Sequence, residues 1–213
     1  MPDREETDPT VSPELELCRM VVSARATIRP PAPSKLKILA TADELFYQEG
    51  IHTVGVDRII AGARVTKATF YKHYRSKDLL IIAYVEGRDK QIRDWFDEQE
   101  RENDDPRAVA RALVDEINRE AIRPGFRGDP FINAAAQFAD ENHPVRVAVT
   151  QHRDWYAHRI EALFRDIGHP HPGDAADDLI LARDGALAGG YVGDPVAAGA
   201  ALHRSLERIL GEA

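Results

Sequence analysis

The sequence has few of the features that characterise secreted, disulfide-stabilised or membrane-spanning proteins. Cys18 is the single cysteine among 213 residues, so no disulfide can form within the chain. We therefore expect an inert thiol in a reducing compartment, the cytoplasm. No apolar run approaches the roughly 20 residues needed to cross a bilayer. Residues 1–16 are acidic and contain proline, so we expect neither a secretory signal nor a membrane partner.

Patterns typical of catalysis or metal binding are also missing. The sequence shows no Ser-His-Asp arrangement, no glycine-rich phosphate loop and no metal-hydrolase motif. Among eight histidines, the only close pair is His169-Pro170-His171, and no cysteine or carboxylate cluster stands at ligand spacing from it. We interpret that pair as surface loop residues. We therefore expect no enzymatic activity, no metal and no cofactor.

Apolar and polar residues do not alternate over any stretch long enough for a strand, so the sequence predicts an all-α fold. Ser34 is expected to cap the first helix and Gly50 to end it in the left-handed conformation. Ile38, Leu39, Ala42, Leu45 and Phe46 form its buried face. About nine helices are predicted, the later ones from Ser76 to about 102, from Asp105-Pro106 to about Arg123, and over roughly 130–140, 144–167, 174–192 and 195–211.

Charge is distributed unevenly along the chain. Acidic residues outnumber basic ones by 36 to 28, a net charge of −8, which by itself argues against nucleic-acid binding. From Ser34 to Leu79, however, eight basic residues stand against five acidic ones, a net charge of +3. The remainder holds the other 20 basic and 31 acidic residues, a net charge of −11. Because fields decay over about 8–10 Å in physiological salt, this local basic segment favours contact with nucleic acid.

Residues 54–79 carry the most informative pattern. They predict a short helix, a tight turn, a second short helix and the start of a third. The apolar positions, Val56, Ile59, Ile60, Ala63, Val65, Phe70 and Tyr74, form one continuous face. The outward positions of the second helix combine positive charge, hydroxyl groups and one small residue, a set that suits a phosphate backbone and base edges. The pattern predicts a helix-turn-helix, whose second helix enters the DNA major groove.

The sequence resembles the TetR (tetracycline-repressor-like) family over residues 34–80. Residues 38–50 resemble the family's first helix, and residues 65–79 resemble its recognition helix and the entry to the fourth helix. A weaker resemblance to the family extends to the segment Pro130-Phe131-Ile132-Asn133-Ala134-Ala135-Ala136. Two positions depart from the pattern: Arg64 replaces a usual turn glycine, and Gly55 replaces a usual Ser or Thr cap.

Roles in DNA binding follow from position and from this resemblance. Thr66 is expected to cap the recognition helix, and its hydroxyl suits a phosphate oxygen. Lys67, Ala68 and Thr69 lie where base edges come within reach, since Lys can donate to guanine while Thr or Ala can touch a thymine methyl group. The positions that resemble the family's backbone contacts are Tyr71, Lys72, His73 and Lys77.

The resemblance also implies a homodimer and a small-molecule effector. Small residues crowd the last two helices, which form the subunit interface in the family, although packing within one subunit would also explain them. The implied ligand pocket lies between helices four and eight, and the candidate lining residues are Trp95, Phe96, Phe131, Asn133, Gln137, Phe138, His152, Trp155 and Tyr156. The main hypothesis is a dimeric repressor released from a pseudo-palindromic DNA operator by an effector. The alternative is a helical ligand-binding protein or enzyme with a degenerate DNA-binding head.

Three segments are predicted on this basis. Residues 1–33 form a disordered or partly helical tail, residues 34–80 the DNA-binding domain with its motif at 54–73, and residues 81–213 the ligand-binding and dimerisation domain. In the tail, Arg25 and Arg29 are either minor-groove contacts or solvated charges. Met1 and Met20 are both candidate start residues.

Overall fold

The computed structural model describes residues 31–213, so the expectations for Cys18, Arg25 and the rest of the tail lie outside the described residues. In this part of the chain every regular element is helical, as predicted. The helices are α1 (Pro33–Glu49), α2 (Val56–Ala63), α3 (Lys67–His73), α4 (Lys77–Glu102), α5 (Pro106–Ala121), α6 (Pro130–Ala136), α7 (Pro144–Ile167), α8 (Pro172–Val192) and α9 (Pro195–Leu210).

Proline and aspartate fix where most of the later helices begin. Each helix from α5 to α9 has proline in its first turn, where its missing N–H costs nothing and its fixed φ suits a helix. The preceding residue is Asp105, Asp129 or Asp194 in three of them, and its carboxylate accepts backbone N–H groups that would otherwise lack partners. These local rules explain why the predicted starts of α5, α6, α7 and α9 are confirmed.

Several helix limits differ from the prediction. Helix α1 begins at Pro33, so Ser34 lies within its first turn and is not the cap; its Oγ is 2.7 Å from Nε2 of His73. Helix α8 begins at Pro172 rather than at 174, and α5 ends at Ala121 rather than near 123. The early starts of α1 and α8 are both at proline, whose ring is accepted in the first turn of a helix.

Helix α6 ends at Ala136, four residues before the predicted limit. The backbone N–H of His52 donates to Gln137 Oε1 at 3.0 Å, and the His52 ring lies 4.9 Å from that of Phe138. Phe138 also stacks on His143, with ring centroids 4.3 Å apart. Contacts with a loop 85 residues away in sequence therefore hold the chain after Ala136 out of the helix.

The predicted tight turn between α2 and α3 forms, and it is left-handed although it lacks the usual glycine. Arg64 adopts φ 54° and ψ 45°, the left-handed conformation, and its N–H donates to the carbonyl of Ala61. A glycine is instead needed two residues earlier, since a Cβ at Gly62 would lie 2.8 Å from Thr41 Cγ2 on α1. The close approach of α2 to α1 depends on Gly62, and the turn accepts the strain of an arginine.

Two apolar clusters make up the core. The first joins α1, α2 and α3 to the start of α4, to α6 and to the start of α7, with Phe46, Phe70 and Phe131 buried at its centre. The second joins the end of α4 to α5, α8, α9 and the remainder of α7. Helices α4 and α7 run through both clusters, and the predicted domain boundary at 80/81 falls inside α4. The boundary stays a prediction, while Pro33–Ala213 forms one compact unit.

Replacing Arg64 by glycine should stabilise the protein. A left-handed non-glycine residue costs roughly 1–2 kcal/mol of stability, and the substitution relieves that cost. Glycine also gives the unfolded chain more conformational freedom, which offsets up to about 1 kcal/mol of the stabilisation. We expect Arg64→Gly to raise the free energy of unfolding by about 0.5–1 kcal/mol, which is a rise in melting temperature of a few degrees. Thermal denaturation followed by circular dichroism measures it.

The matched control is Ala61→Gly, an exposed position of α2. Because glycine is a poor helix former, this variant should lose about 1 kcal/mol of stability. A fall in stability for both variants would show that the left-handed turn carries no strain.

Candidate nucleic-acid interface and internal cavity

The outer face of α3 is exposed and rich in polar groups. Thr66, Lys67, Ala68, Tyr71 and Lys72 are exposed, whereas Phe70 on the opposite side is fully buried in the first cluster. The Thr66 hydroxyl accepts a hydrogen bond from the Thr69 N–H at 3.1 Å, so Thr66 caps the helix as predicted. Tertiary packing thus turns these predicted side chains toward solvent.

Several of the predicted contact residues have partners within the protein. His73 is half-buried and hydrogen-bonded to Ser34 at the start of α1. Lys77 Nζ lies 5.9 Å from the centre of the Phe46 ring, and partial burial lowers the pKa of Lys77. Thr69 is also half-buried. Lys67 Nζ lies 3.9 Å from Asp57 Oδ1, a long and exposed ion pair that leaves the ammonium group accessible.

The helix-turn-helix is attached to the rest of the molecule through α1 and the loop that follows it. The Tyr47 hydroxyl donates to the carbonyl of Gly128 at 3.0 Å and accepts from the Arg127 N–H at 2.8 Å. Gln48 Nε2 donates to the carbonyl of Gly125 at 2.9 Å. These bonds connect α1 to residues 123–129, which lie in the segment between α5 and α6. The position of α1 is therefore tied to that segment by three hydrogen bonds.

A cavity of about 300 Å³ lies where the two apolar clusters meet. Residues of α4, α5, α7 and α8 form its wall together with the segment that contacts α1. The apolar and aromatic lining residues are Tyr47, Ile92, Trp95, Leu113, Ile117, Phe126, Pro130, Phe131, Tyr156 and Leu187. Its size and apolar character are typical of small-molecule sites in proteins.

A buried ion pair crosses the wall of this cavity. Asp129 Oδ1 caps α6 by accepting the N–H groups of Phe131 and Ile132, and its Oδ2 accepts from Arg183 Nη2 at 2.6 Å. Burial alone would raise the pKa of Asp129, but Arg183 and the two backbone N–H groups outweigh it and hold the pKa below its usual value. The guanidinium also lies over the Tyr156 ring, 5.1 Å from its centre. The pair fixes α6 against α8.

A second polar cluster supports the neighbouring aromatic side chains. His152 is buried, stacks on Phe131 with ring centroids 3.5 Å apart, and shares a 2.8 Å hydrogen bond with Asp89. Burial lowers the pKa of His152, although Asp89 opposes that effect. Asp89 also accepts from Arg93, whose guanidinium lies 4.0 Å from the Trp155 ring centre. This arrangement holds Phe131 in the cavity wall.

Three of the nine predicted pocket residues, Trp95, Phe131 and Tyr156, line the main cavity. His152 instead lines a neighbouring cavity of about 220 Å³ that shares Phe131 and Tyr156. Phe96 is fully buried in the second cluster, and Trp155 packs against that cluster. The structure directs the other three elsewhere: Asn133 donates to the carbonyl of Arg127, Gln137 binds His52, and Phe138 stacks on His143.

Most of the charged and aliphatic residues in the cavity wall were not predicted from the sequence. Arg88 and Arg183 line the cavity, but their carboxylate partners Asp43 and Asp129 lie 45 and 54 residues away in sequence. No local spacing signals such pairs. Tyr47 follows the buried Phe46 and falls on the adjoining face of α1, so only the position of residues 123–129 reveals its role.

The prediction for His169 was wrong. It is buried, its Nδ1 accepts from the His171 N–H at 3.1 Å, and its ring meets Phe164 edge-on. The close of α7 at Gly168 turns the chain back onto the second cluster, which explains the burial. Over residues 31–213, no three metal-ligating side chains are grouped as a metal site requires. Within the same residues, no helix is both long and apolar enough to traverse a bilayer.

The helix-turn-helix presents an exposed basic second helix, and the long helix α4 joins it to a bundle that holds a cavity. This combination is typical of DNA-binding regulators that respond to small molecules. The family model described as "Bacterial regulatory proteins, tetR family" matches residues 38–84. A TetR-family transcriptional regulator of known structure from Streptomyces coelicolor is 37% identical, with a TM-score of 0.80, over 84% of this chain and 94% of that one.

More distant comparisons agree. A putative TetR-type regulator from Streptomyces avermitilis shares the fold, with a TM-score of 0.72 at 22% identity over 84% of this chain and 97% of that one. An uncharacterized helix-turn-helix-type regulator from Mycobacterium tuberculosis is 36% identical over 59 residues, which are 27% of this chain and span only 29% of that relative's length. The chain belongs to the TetR family of bacterial transcriptional regulators.

Removing the arginine of the buried pair should be severely destabilising. Arg183→Met leaves the Asp129 carboxylate buried without its counter-charge, which costs about 3–5 kcal/mol. The pKa of Asp129, now depressed, should rise. Because a depressed carboxyl pKa stabilises the wild-type fold above the unfolded value of about 3.9 and that contribution is lost as pH falls through the folded pKa, the stability difference between wild type and variant should be largest near neutral pH and shrink on acidification. Urea denaturation between neutral and acidic pH measures both effects.

The control is Arg165→Met, which breaks an exposed pair with Glu161 on α7. Its cost should stay within about 1 kcal/mol. Equal losses for the two variants would contradict a special role for the buried pair.

Proposed function

We propose that the protein is a dimeric repressor that binds a pseudo-palindromic DNA operator and is released from it by a small-molecule effector. The observation that carries the DNA-binding part is the outward, basic face of α3. Phe70 on its apolar side is buried in the core, whereas Lys67, Tyr71 and Lys72 project into solvent.

The exposed side chains have the chemistry for the two kinds of DNA contact. Lys67, Ala68 and Thr69 belong to the first turn of α3, which a helix-turn-helix directs toward base edges. We assign the phosphate backbone contacts to Tyr71, Lys72, His73 and Lys77, which follow along the helix and into α4. The acidic remainder of the chain is repelled by the DNA phosphates, so the protein approaches DNA with this basic face first.

Alanine substitutions should separate base contacts from backbone contacts. Lys67→Ala should change the preferred base at one operator position, since a good base contact discriminates by about 1–3 kcal/mol. Lys77→Ala should weaken binding to all sequences alike and lower the salt slope by about one. Binding to randomised operators, titrated by fluorescence anisotropy at several salt concentrations, distinguishes the two. Identical sequence profiles for both variants would refute the assignment.

Lys90→Ala is the matched control, because Lys90 is exposed on the same helix as Lys77 and pairs with Asp94 away from α3. It should leave affinity unchanged. A wild-type dimer making about 6–10 phosphate contacts should lose about 10³–10⁵ in affinity between roughly 50 and 200 mM salt. A folded protein that shifts no DNA, including its own upstream sequence, at low salt would favour the alternative of a degenerate head.

The dimer is proposed to form through α8 and α9. Helix α8 exposes Leu181, Gly185, Ala188 and Val192 at helical spacing, and Val196 at the start of α9 continues the strip. Leu181 is 73% exposed and Val192 80%. A contiguous apolar strip of this kind is costly in water unless a partner covers it, and small residues allow two copies of the helices to approach closely.

Leu181→Glu should convert the dimer to a monomer. Two copies would place carboxylates in the same apolar seam, where each must be desolvated and both repel. Size-exclusion chromatography with light scattering measures the molecular mass. Val147→Glu is the control, since Val147 is an exposed apolar residue on α7 outside the strip, and it should remain dimeric. A dimeric Leu181→Glu protein would exclude this interface.

Effector release is proposed to run from the cavity to the helix-turn-helix through residues 123–129. Phe126 and Gly128 line the cavity, while the backbone of the same segment is bonded to Tyr47 and Gln48 on α1. A ligand that displaces this segment would move α1 and α3 with it, and thereby alter the spacing of the two recognition helices in a dimer.

A further inference from the structure

The charges around the main cavity are balanced pair by pair. Six charged side chains line it: Arg88, Glu116, Glu120, Arg123, Asp129 and Arg183. Three are basic and three are acidic. Each has a partner of opposite charge within residues 31–213, so none presents an unoccupied counter-charge to the cavity.

The inner pairs are the more rigid. Arg88 donates from Nε and Nη2 to the two carboxylate oxygens of Asp43 at 2.6 and 2.7 Å, a bidentate arrangement. Arg183 donates to Asp129 at 2.6 Å and to Asp184 at 2.6 Å. The side chains of Arg183 and Asp129 are only 10% and 3% exposed. A ligand cannot recruit Arg183 without leaving the buried Asp129 carboxylate unpaired, and it cannot recruit Arg88 without breaking the bidentate pair with the partly exposed Asp43.

The outer pairs lie on α5 and at its end. Glu120 pairs with Arg123 at 3.1 Å, and Glu116 pairs with Arg119. All four side chains are partly exposed. These pairs are weaker than the inner ones because water competes for their charges, but they still neutralise the two carboxylates at the rim.

The uncharged lining holds few hydrogen-bonding side chains. The Tyr47 hydroxyl already donates to Gly128 and accepts from Arg127. Gln91 supplies an amide to the lining, and Trp95, Phe126 and Phe131 contribute aromatic faces. From this charge balance we propose that the cavity selects neutral, largely aromatic molecules with a single hydrogen-bonding group, and rejects ions of either sign. The inference rests on the proposed function, since it takes the cavity to be the effector site.

The physical reason is desolvation. An anion must leave water and then finds Arg88 and Arg183 already paired, so it stays unpaired or displaces a carboxylate from one of them. A cation must likewise leave water, and the rim carboxylates that it meets are already offset by Arg119 and Arg123. A neutral aromatic molecule gains the apolar contacts without that cost. We therefore expect this cavity to bind both anions and cations less tightly than neutral molecules of the same shape.

Three rigid molecules of nearly one shape test the proposal. Acetylnaphthalene, naphthoate and naphthamidinium carry the same rings and a planar three-atom head that is neutral, negative or positive. Isothermal titration calorimetry with the full chain should show acetylnaphthalene binding at least about tenfold more tightly than either ion, equivalent to about 1.4 kcal/mol. Binding of either ion as tightly as acetylnaphthalene would overturn the proposal.

A rim variant supplies a second test. Arg123→Gln leaves Glu120 without its partner, so naphthamidinium should bind at least about threefold more tightly while acetylnaphthalene is unaffected, a change of about 0.7 kcal/mol. Arg165→Gln, which breaks the distant surface pair with Glu161, should change neither. Unchanged naphthamidinium binding in Arg123→Gln would contradict the pairing argument.

The same titrations separate this inference from the proposed function. If acetylnaphthalene binds with the expected preference but leaves operator affinity unchanged, the selectivity of the cavity stands and its role in effector release fails. If an ion binds preferentially and releases the operator, effector release stands and the neutral-ligand proposal fails.

Discussion

The Asp129–Arg183 ion pair is the contact on which the rest of the structure depends. It holds the start of α6 against α8 where the two apolar clusters meet, and it forms part of the cavity wall between them. Burial of two charges is unfavourable by itself, and the pair is stable because the α6 backbone, Asp184 and the Tyr156 ring supply further partners. One wall of the cavity therefore contains the paired charges of Asp129 and Arg183, whereas most of the remaining surface is apolar.

That arrangement connects the cavity to the exposed face of α3. The chain that leads into Asp129 is the segment bonded to α1 through Tyr47 and Gln48, and α1 in turn packs on α2 and α3 in the first cluster. Three residues separate α3 from α4, and α4 carries Arg88, Ile92 and Trp95 in the cavity wall. The cavity wall therefore includes residues of both connections to the helix-turn-helix.

Local sequence rules predicted the helices well and their ends less well. Proline with a preceding aspartate gave correct starts, since capping depends on a few adjacent backbone groups. The apolar faces of α1 and α2 and the left-handed Gly50 are likewise as predicted. The predicted end of α6 and the predicted cap at Ser34 were wrong, because contacts with the distant His52 hold the chain after Ala136 and because Pro33 starts α1 one residue ahead of Ser34.

The sequence by itself determined the all-α class, the helix-turn-helix and the resemblance that leads to the TetR family, because each depends on spacing within a few turns of helix. Only the tertiary structure decided which aromatic residues line the cavity and which fill the core. Trp95 and Phe96 are adjacent in sequence and both apolar, yet one faces the cavity and the other is fully buried. The charge pairs around the cavity join residues that are up to 54 positions apart, and a pairing of that kind exists only once the helices have packed.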